Sequence, residues 1–193
     1  IVEGGQTMNP STQDFMNIID NTDADNYIIL PNNKNIILAA QQTKEMSSKN
    51  IAVLETKTIP EAISAMIEFN ESASLEENVE AMKASMANTV SGQLTYAVRN
   101  TVVNGKDIKE GDIIGIMGSE IVACEKDVSV AAEDLVAKMI NDDTEMVSLY
   151  YGSDVSEASA EELKKSLDEK FEGMDIEVYY GGQPLYYYIV SAE

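Results

Sequence analysis

Short apolar runs alternate with amphipathic segments over the first third of the chain. The runs Tyr27–Leu30 and Ile51–Leu54 are typical of buried strands. Between them, residues 35–46 carry apolar side chains at helical spacing, so this segment can cover one face of a sheet. This order predicts parallel βαβ units.

Helix starts are also visible, because side-chain oxygens that can accept from free backbone N–H groups precede the apolar stripes. Four pairs fit this pattern: Ser11 with Asp14, Thr58 with Glu61, Ser74 with Glu77, and Ser159 with Glu162. Pro60 falls at a first helical position, where its missing N–H costs nothing. We predict helices near residues 11–21, 34–46, 60–69, 75–88, 129–141 and 160–172.

From Gly92 onward the pattern favours longer strands and hairpins. The strand Leu94–Val103 precedes Asn104-Gly105, a strong hairpin signal, and a second hairpin turns at Gly118-Ser119. Further strands are predicted at Met146–Tyr151 and as a final pair between residues 176 and 190. The predicted fold is α/β with two lobes, a parallel-sheet lobe at 1–90 and a mixed α+β lobe at 91–193.

Composition narrows the possible partners. Thirteen Lys and Arg residues against 34 Asp and Glu give a formal net charge of -21, which repels nucleic acid and anionic membrane surfaces. The excess acid predicts a solvated surface or, alternatively, steering toward a basic partner. With no apolar run near membrane-spanning length and a single cysteine, we expect a cytoplasmic protein. The loop-like start at Ile1 suggests a piece of something longer.

The chain lacks the residues that several kinds of catalytic site require. The chain has no histidine and one cysteine, which excludes histidine-based triads and the usual zinc sites. Neither a G-x-x-x-x-G-K-[ST] loop nor a G-x-G-x-x-G turn is present, so no ATP cradle is encoded. We therefore expect no catalytic residue and no metal site, although paired carboxylates keep a hydrolase open as a hypothesis.

Two amides follow the first predicted strand. Asn32 and Asn33 stand at the carboxyl end of this strand, where ligands of open α/β sheets bind. Asn33 could cap the next helix, or the helix N-terminus could meet an anion. The two interpretations are compatible.

The second lobe carries two further candidates. Arg99 is the only arginine, and alternation places it on one strand face with Thr95. It could form an internal salt bridge or bind an anion or partner. Alternation also sends Tyr186 and Tyr188 to one face and Tyr187 to the other, as core residues or as an interface.

Four blocks of sequence occur together in order: Glu3–Thr12, Leu30–Asn35, Thr95–Arg99 and Gly181–Tyr186. This set resembles the C-terminal region of the bacterial fatty acid kinase large subunit, the family of Dak-domain fusion proteins of the YloV type. The resemblance spans nearly the whole chain. It implies a DegV-like fold and a module that engages a separate DegV-type acyl-binding subunit.

The resemblance also implies where the chemistry lies. In this family ATP and magnesium bind an N-terminal kinase domain, so no cofactor is expected here. DegV-type proteins hold the acyl carboxylate with a hydroxyl-rich loop, whereas the comparable loops here, Gly4–Asn9 and Pro31–Asn33, are richer in amides. The candidate ligand- or partner-binding residues are Gly4, Gly5, Gln6, Thr7, Asn9, Asn32, Asn33, Thr95, Arg99, Gly182, Gln183 and Tyr186.

The leading hypothesis is a non-catalytic docking module of a fatty acid kinase, able to form oligomers through the full-length protein. The alternative is a DegV-like module that itself binds a fatty acid or another small molecule. On either hypothesis, we expect Asn32, Asn33 and Arg99 to matter more for binding than for stability.

Overall fold

The computed structural model describes residues 1–2, 9–103 and 105–193, which divide into two compact units, Ile1–Asn88 and Thr89–Glu193. The described elements of the first unit are α1 (Thr12–Asp20), β1 (Asn26–Ile29), α2 (Ile37–Met46), β2 (Asn50–Val53), α3 (Ile59–Ile67) and α4 (Leu75–Asn88). As predicted, β1 and β2 are parallel, with Asn26 opposite Asn50 and Ile29 opposite Val53.

Side chains of β1 alternate between two apolar clusters. Ile29 packs against one cluster, whereas Ile28 and Leu30 pack against the other. The first cluster joins α1 to the start of α2 through Phe15, Ile36 and Ala40. The second joins the end of β2 to α3 and α4 through Leu54, Ala65 and Met82. The strand pair therefore has helices on both faces, which is the layered arrangement of an α/β fold.

The second unit is built on one six-stranded sheet. Its described elements are β3 (Val90–Tyr96), β4 (Thr101–Val103), β5 (Lys106–Ile108), β6 (Ile113–Met117), β7 (Glu120–Glu125), α5 (Val128–Met139), β8 (Met146–Tyr151), α6 (Glu157–Lys170), β9 (Asp175–Tyr180) and β10 (Tyr186–Ala192). The strand order is β7-β6-β3-β10-β8-β9, and only β8 and β9 are parallel neighbours. Both helices pack on the core of this sheet, around Leu94, Leu135, Leu149, Leu163 and Val190.

The predicted strand Leu94–Val103 is in fact two strands. The next residue after β3, Ala97, donates its N–H to the Asp112 carbonyl at 2.8 Å and accepts from the Gly111 N–H at 2.8 Å. The chain therefore leaves the sheet and forms the β4–β5 hairpin. The sequence conceals this break, because the apolar residues Leu94, Tyr96 and Val98 continue a two-residue alternation across it. Asn104 of the predicted turn lies outside the described residues.

Three of the four predicted helix caps are present. Ser11, Thr58 and Ser74 each accept a hydrogen bond from the backbone N–H three residues later. The fourth prediction was wrong, because α6 is capped by Ser156, whose hydroxyl accepts from the Ser159 N–H at 3.1 Å. Ser156 has the extended backbone that a cap requires, so Ser159 lies inside the helix.

The last two strands follow each other in sequence but are not neighbours in the sheet. β10 lies between β3 and β8, so the loop from β9 must pass the end of β8. The hydrogen bonds that hold this loop include Gly181 N–H to Tyr151 O at 2.9 Å, Ser153 N–H to Gln183 O at 3.1 Å, and Gln183 Nε2 to Tyr150 O at 2.7 Å. Gly182 adopts φ 65°, a conformation that favours glycine.

Gly152 provides a test of how tightly this crossing is packed. A Cβ at this position would meet the carbonyl oxygens of Gln183 and Tyr186, which are backbone atoms and cannot rotate away. We expect Gly152→Ala to lower the free energy of unfolding by about 3 kcal/mol. Gly92→Ala is the matched control, because its Cβ meets mainly the flexible end of Met139, and it should cost about 1 kcal/mol. Urea denaturation of both variants measures this, and equal losses would contradict it.

Candidate functional site

An apolar cavity of about 810 Å³ lies within the first unit. Its described lining residues are Ile1, Val2, Pro10, Phe15, Ile18, Ile19, Tyr27, Ile28, Ile29, Leu30, Pro31, Asn32, Asn33, Ile36, Ile59, Ala62 and Met66. The volume is within the range of roughly 300–1,000 Å³ that is typical of small-molecule sites. The walls come from α1, β1, α3 and the loop that leads into α2.

The two predicted amides lie at the carboxyl end of β1 and both line this cavity. The Asn32 N–H donates to the Thr56 hydroxyl at 3.0 Å, and that hydroxyl donates to Asn32 Oδ1 at 2.8 Å. Asn33 Oδ1 accepts from the Asn35 N–H at 2.9 Å, and α2 starts only at Ile37. Asn33 therefore stabilises a turn that precedes the helix, and the predicted helix start at residue 34 was too early.

The first predicted loop is described only in part. Gly4, Gly5, Gln6 and Thr7 lie outside the described residues. Asn9 is exposed, and the residue after it, Pro10, lines the cavity.

In the second unit, four of the five predicted residues lie at one end of the sheet. This end combines the carboxyl ends of β3, β8 and β9 with the start of β10. Thr95 Oγ1 donates to the Leu185 carbonyl at 2.6 Å, which ties the end of β3 to the crossing loop. Gly182 and Gln183 shape that loop, and Tyr186 opens β10 opposite Thr95.

The predicted alternation of the three tyrosines was wrong. Tyr186 pairs with Thr95 whereas Tyr188 pairs with Leu94, so the register shifts by one residue between them. Because neighbouring residues of β3 point to opposite faces, Tyr186 and Tyr188 do as well. Tyr188 is buried on the helix side, where desolvation raises its pKa to about 12. Tyr187 contacts the same core and meets Tyr96 edge-to-face with ring centroids 6.3 Å apart.

This end of the sheet also exposes several large apolar side chains. We call Tyr96, Val98, Tyr180 and Leu185 the aromatic end; Tyr180 is 68% exposed and Val98 is 74% exposed. Arg99 follows Val98 in the loop after β3, not in a strand as predicted, and is exposed. Across residues 1–2, 9–103 and 105–193, no carboxylate pairs with Arg99 to give an internal salt bridge.

Tyr151 packs against Tyr180 of the aromatic end, and its phenol is kept neutral. Desolvation raises the pKa of Tyr151, and the carboxylate of Glu157 on α6 adds to the rise. Near Arg99, the backbone carbonyl of Asp112 accepts from the Ala97 N–H, and a hydrogen bond from Lys126 is the main cause that lowers the pKa of the Asp112 carboxyl.

The cavity walls on α1 and α3 were not predicted from sequence. Ile18, Ile59 and Met66 line the cavity although they are 43%, 49% and 61% exposed. One signal for them exists, because α3 is apolar on more of its circumference than a helix with one buried face requires. Such excess apolar surface commonly marks a ligand or partner site.

Metal-binding clusters and membrane spans are both lacking in the described part of the chain. No group of three or more Asp, Glu or Cys side chains there is placed to hold a metal ion. No helix within the same residues is long and apolar enough to cross a membrane.

Comparison with known proteins gives one family match over residues 1–193, to the FakA-like C-terminal family of fatty acid kinases. Protein YloV of Bacillus subtilis is 43% identical over the whole chain, which covers 35% of its length. An uncharacterized protein of Staphylococcus aureus strain MRSA252 is 38% identical over the same span, again 35% of its length. The chain thus spans about a third of the length of these curated relatives.

Solved structures share the fold at low sequence identity. A DegV family protein from Thermus thermophilus matches with TM-score 0.67 and 12% identity over 95% of this chain and 77% of its own. The fatty acid kinase B3 protein of Streptococcus pneumoniae, loaded with linoleic acid, gives TM-score 0.67 and 15% identity over 95% and 76%. The dihydroxyacetone kinase of C. freundii gives 0.66 and 12% over 95% and 41%. The predicted α/β, DegV-like fold is confirmed.

Contrary to the expectation from sequence, the contacts of Asn32 give it a clear role in stability, through its backbone as well as its side chain. It adopts φ 58°, which asparagine tolerates better than alanine, and it holds the fully buried Thr56 hydroxyl. We expect Asn32→Ala to lower the free energy of unfolding by about 2 kcal/mol, and Asn32→Gly, which keeps the backbone conformation, by about 1 kcal/mol. Chemical denaturation tests this order. Equal losses for alanine and glycine would show that the backbone conformation contributes nothing.

Proposed function

The chain belongs to the FakA-like C-terminal family of fatty acid kinases, and from this premise we propose that it is a non-catalytic module that docks a DegV-type fatty acid-binding subunit. The docked subunit would present its fatty acid to a kinase domain elsewhere in the large subunit. That domain would then bind ATP and magnesium.

The sequence supports a docking role for this chain, with phosphoryl transfer carried out by another domain. The chain has no histidine and no standard phosphate-binding loop. It also matches only 35% of the length of its YloV relative, so most of that protein lies outside the matched region. A kinase domain in the remaining part of such a protein would supply the phosphoryl transfer that this chain is not equipped to perform.

The observation that carries the proposal is the aromatic end. Tyr180 and Val98 expose apolar surface to solvent, and Tyr180 also has a hydroxyl that can form hydrogen bonds. Tyrosine and arginine are enriched where proteins bind one another, because each combines contact area with directional hydrogen bonds. Arg99, which follows Val98 in the loop after β3, adds an exposed guanidinium that can meet a carboxylate of the partner.

Net charge supports a particular kind of partner surface. With a formal net charge of -21, the chain attracts basic groups at long range and speeds their encounter. Glu157 and Glu161 lie close to the ring of Tyr151, near the aromatic end. The docking face of the partner should therefore have an apolar centre, a largely basic rim, and one carboxylate for Arg99.

Two neighbouring tyrosines of β9 provide a matched test. Tyr180 packs against Tyr151 with ring centroids 5.3 Å apart, and Tyr179 packs against Tyr150 at 5.6 Å on the opposite face. We expect Tyr180→Ala and Arg99→Gln each to weaken binding of the DegV-type subunit by tenfold or more, about 1.4 kcal/mol. Tyr179→Ala loses a similar ring pair and should leave the affinity within about twofold.

Calorimetric titration of the acyl-loaded DegV-type subunit into each variant measures these affinities, and urea midpoints control for folding. No detectable binding by the unaltered chain would refute docking. Equal affinities for the Tyr179 and Tyr180 variants would keep docking and remove the aromatic end from the interface.

A further inference from the structure

We propose that the cavity of the first unit is a groove for one additional β-strand, which pairs with the outer edge of β1 and comes from a part of the full-length large subunit outside residues 1–193. This inference goes beyond the docking function and does not rest on it. Three features of the first unit carry it: the course of the cavity along β1, the backbone groups of that strand, and the helices on its two faces.

The cavity runs along the edge of β1. Four consecutive residues line it, Tyr27, Ile28, Ile29 and Leu30. Because neighbouring side chains of a strand point to opposite faces, a cavity over one face would touch only every second residue. Contact with all four therefore places the cavity beside the strand, where the next strand of the sheet would lie.

Backbone groups of β1 point toward this groove. The Leu54 N–H donates to the Ile29 carbonyl at 3.0 Å, so Ile29 directs its backbone groups to the β2 side. Successive residues of a strand direct their N–H and C=O groups to alternate sides, so those of Ile28 point away from β2. Among the described residues, β2 is the only strand that pairs with β1. An additional strand would give these groups their hydrogen-bond partners.

The sequence of β1 is typical of a strand inside a sheet, not of one at its edge. The run Tyr27–Leu30 is apolar throughout, like parallel strands with helices on both faces. It has none of the charges or prolines that protect exposed edges from pairing. All four of its residues are partly exposed, whereas Ile51 and Leu54 are 4% and 0% exposed. Apolar surface of β1 therefore remains for a further neighbour to cover.

The walls define the side chains of the added strand. Helix α1 contributes Phe15 and Ile18 on one face of β1, and α3 contributes Ile59 and Met66 on the other. No described lining residue has a charged side chain. A strand in the groove would turn alternate side chains toward α1 and α3, so both of its faces should be apolar. An uncharged run rich in valine and isoleucine fits this requirement.

The full-length large subunit can supply such a strand. The chain covers 35% of the length of YloV and 77% of the Thermus thermophilus DegV family protein, which has the same fold. Both proteins therefore contain segments with no counterpart among residues 1–193. A strand of the same polypeptide is held near the groove by covalent linkage, at high effective concentration. A second copy fits less well, because two chains with a net charge of -21 repel each other.

Amide hydrogen exchange, resolved to single residues by mass spectrometry, tests the pairing. We expect the Ile28 N–H to exchange at least tenfold more slowly in the full-length large subunit than in residues 1–193 alone, because the added strand would accept its hydrogen bond. Strand β8 already has a neighbour on each side, so its amides should change less than twofold and serve as the control.

Two adjacent residues at the end of α3 test the position of the strand. Met66 lines the cavity and Ile67 does not, although both are exposed, at 61% and 73%. In the full-length large subunit, Met66→Glu should remove most of the added protection of Ile28, because it places a carboxylate against an apolar strand. Ile67→Glu, with the same new charge, should change that protection less than twofold. Unchanged exchange of Ile29 in residues 1–193 shows that each variant still folds.

Equal exchange of Ile28 in the two proteins overturns the proposal, and so do equal effects of the two glutamate variants. Protection of Ile28 in residues 1–193 that rises with protein concentration would assign the groove to a second copy instead. Protection that appears only when the DegV-type subunit is added would assign it to that partner. Either result also overturns the proposal. Docking is judged separately, by the affinity between the two proteins.

Discussion

The backbone hydrogen bonds that hold β10 between β3 and β8 determine what the second unit presents to solvent. Because β10 enters the middle of the sheet, the chain must cross the end of β8 within five residues, Gly181–Leu185. The crossing brings the Leu185 carbonyl to the Thr95 hydroxyl at 2.6 Å and leaves the Leu185 side chain 48% exposed. Leu185 and Tyr180 are therefore displayed where hydrogen bonds hold the backbone in place, which lowers the entropic cost of forming a protein interface there.

Features encoded within a few residues were predictable from the sequence. The capping box of Ser11 and Asp14 and the hairpin turn at Gly118 each depend on residues next to one another in the chain. The parallel pairing of β1 and β2 followed from the strand–helix–strand order, which almost requires it. Asn32 and Asn33 were placed at the right end of β1 for the same reason, because any residue that follows a strand lies at its carboxyl end.

Features that depend on distant parts of the chain were not predictable. The insertion of β10 between two earlier strands leaves no mark on its own sequence, and the register shift between Tyr186 and Tyr188 exists only through the pairing with β3. The break after Tyr96 depends on the hydrogen bonds between Ala97 and residues 111 and 112. The cavity forms only where α1, α3 and β1 meet, so the sequence of no single segment predicts it.

The net charge of the chain constrains how a protein partner could be held at the aromatic end. A formal charge of -21 attracts a basic surface at long range and speeds its encounter, but salt screens this attraction. Burial of the exposed apolar area of Val98 and Tyr180 is insensitive to the sign of the charge. Charge would therefore set the rate at which a partner approaches, and apolar contact would hold the partner once it is bound.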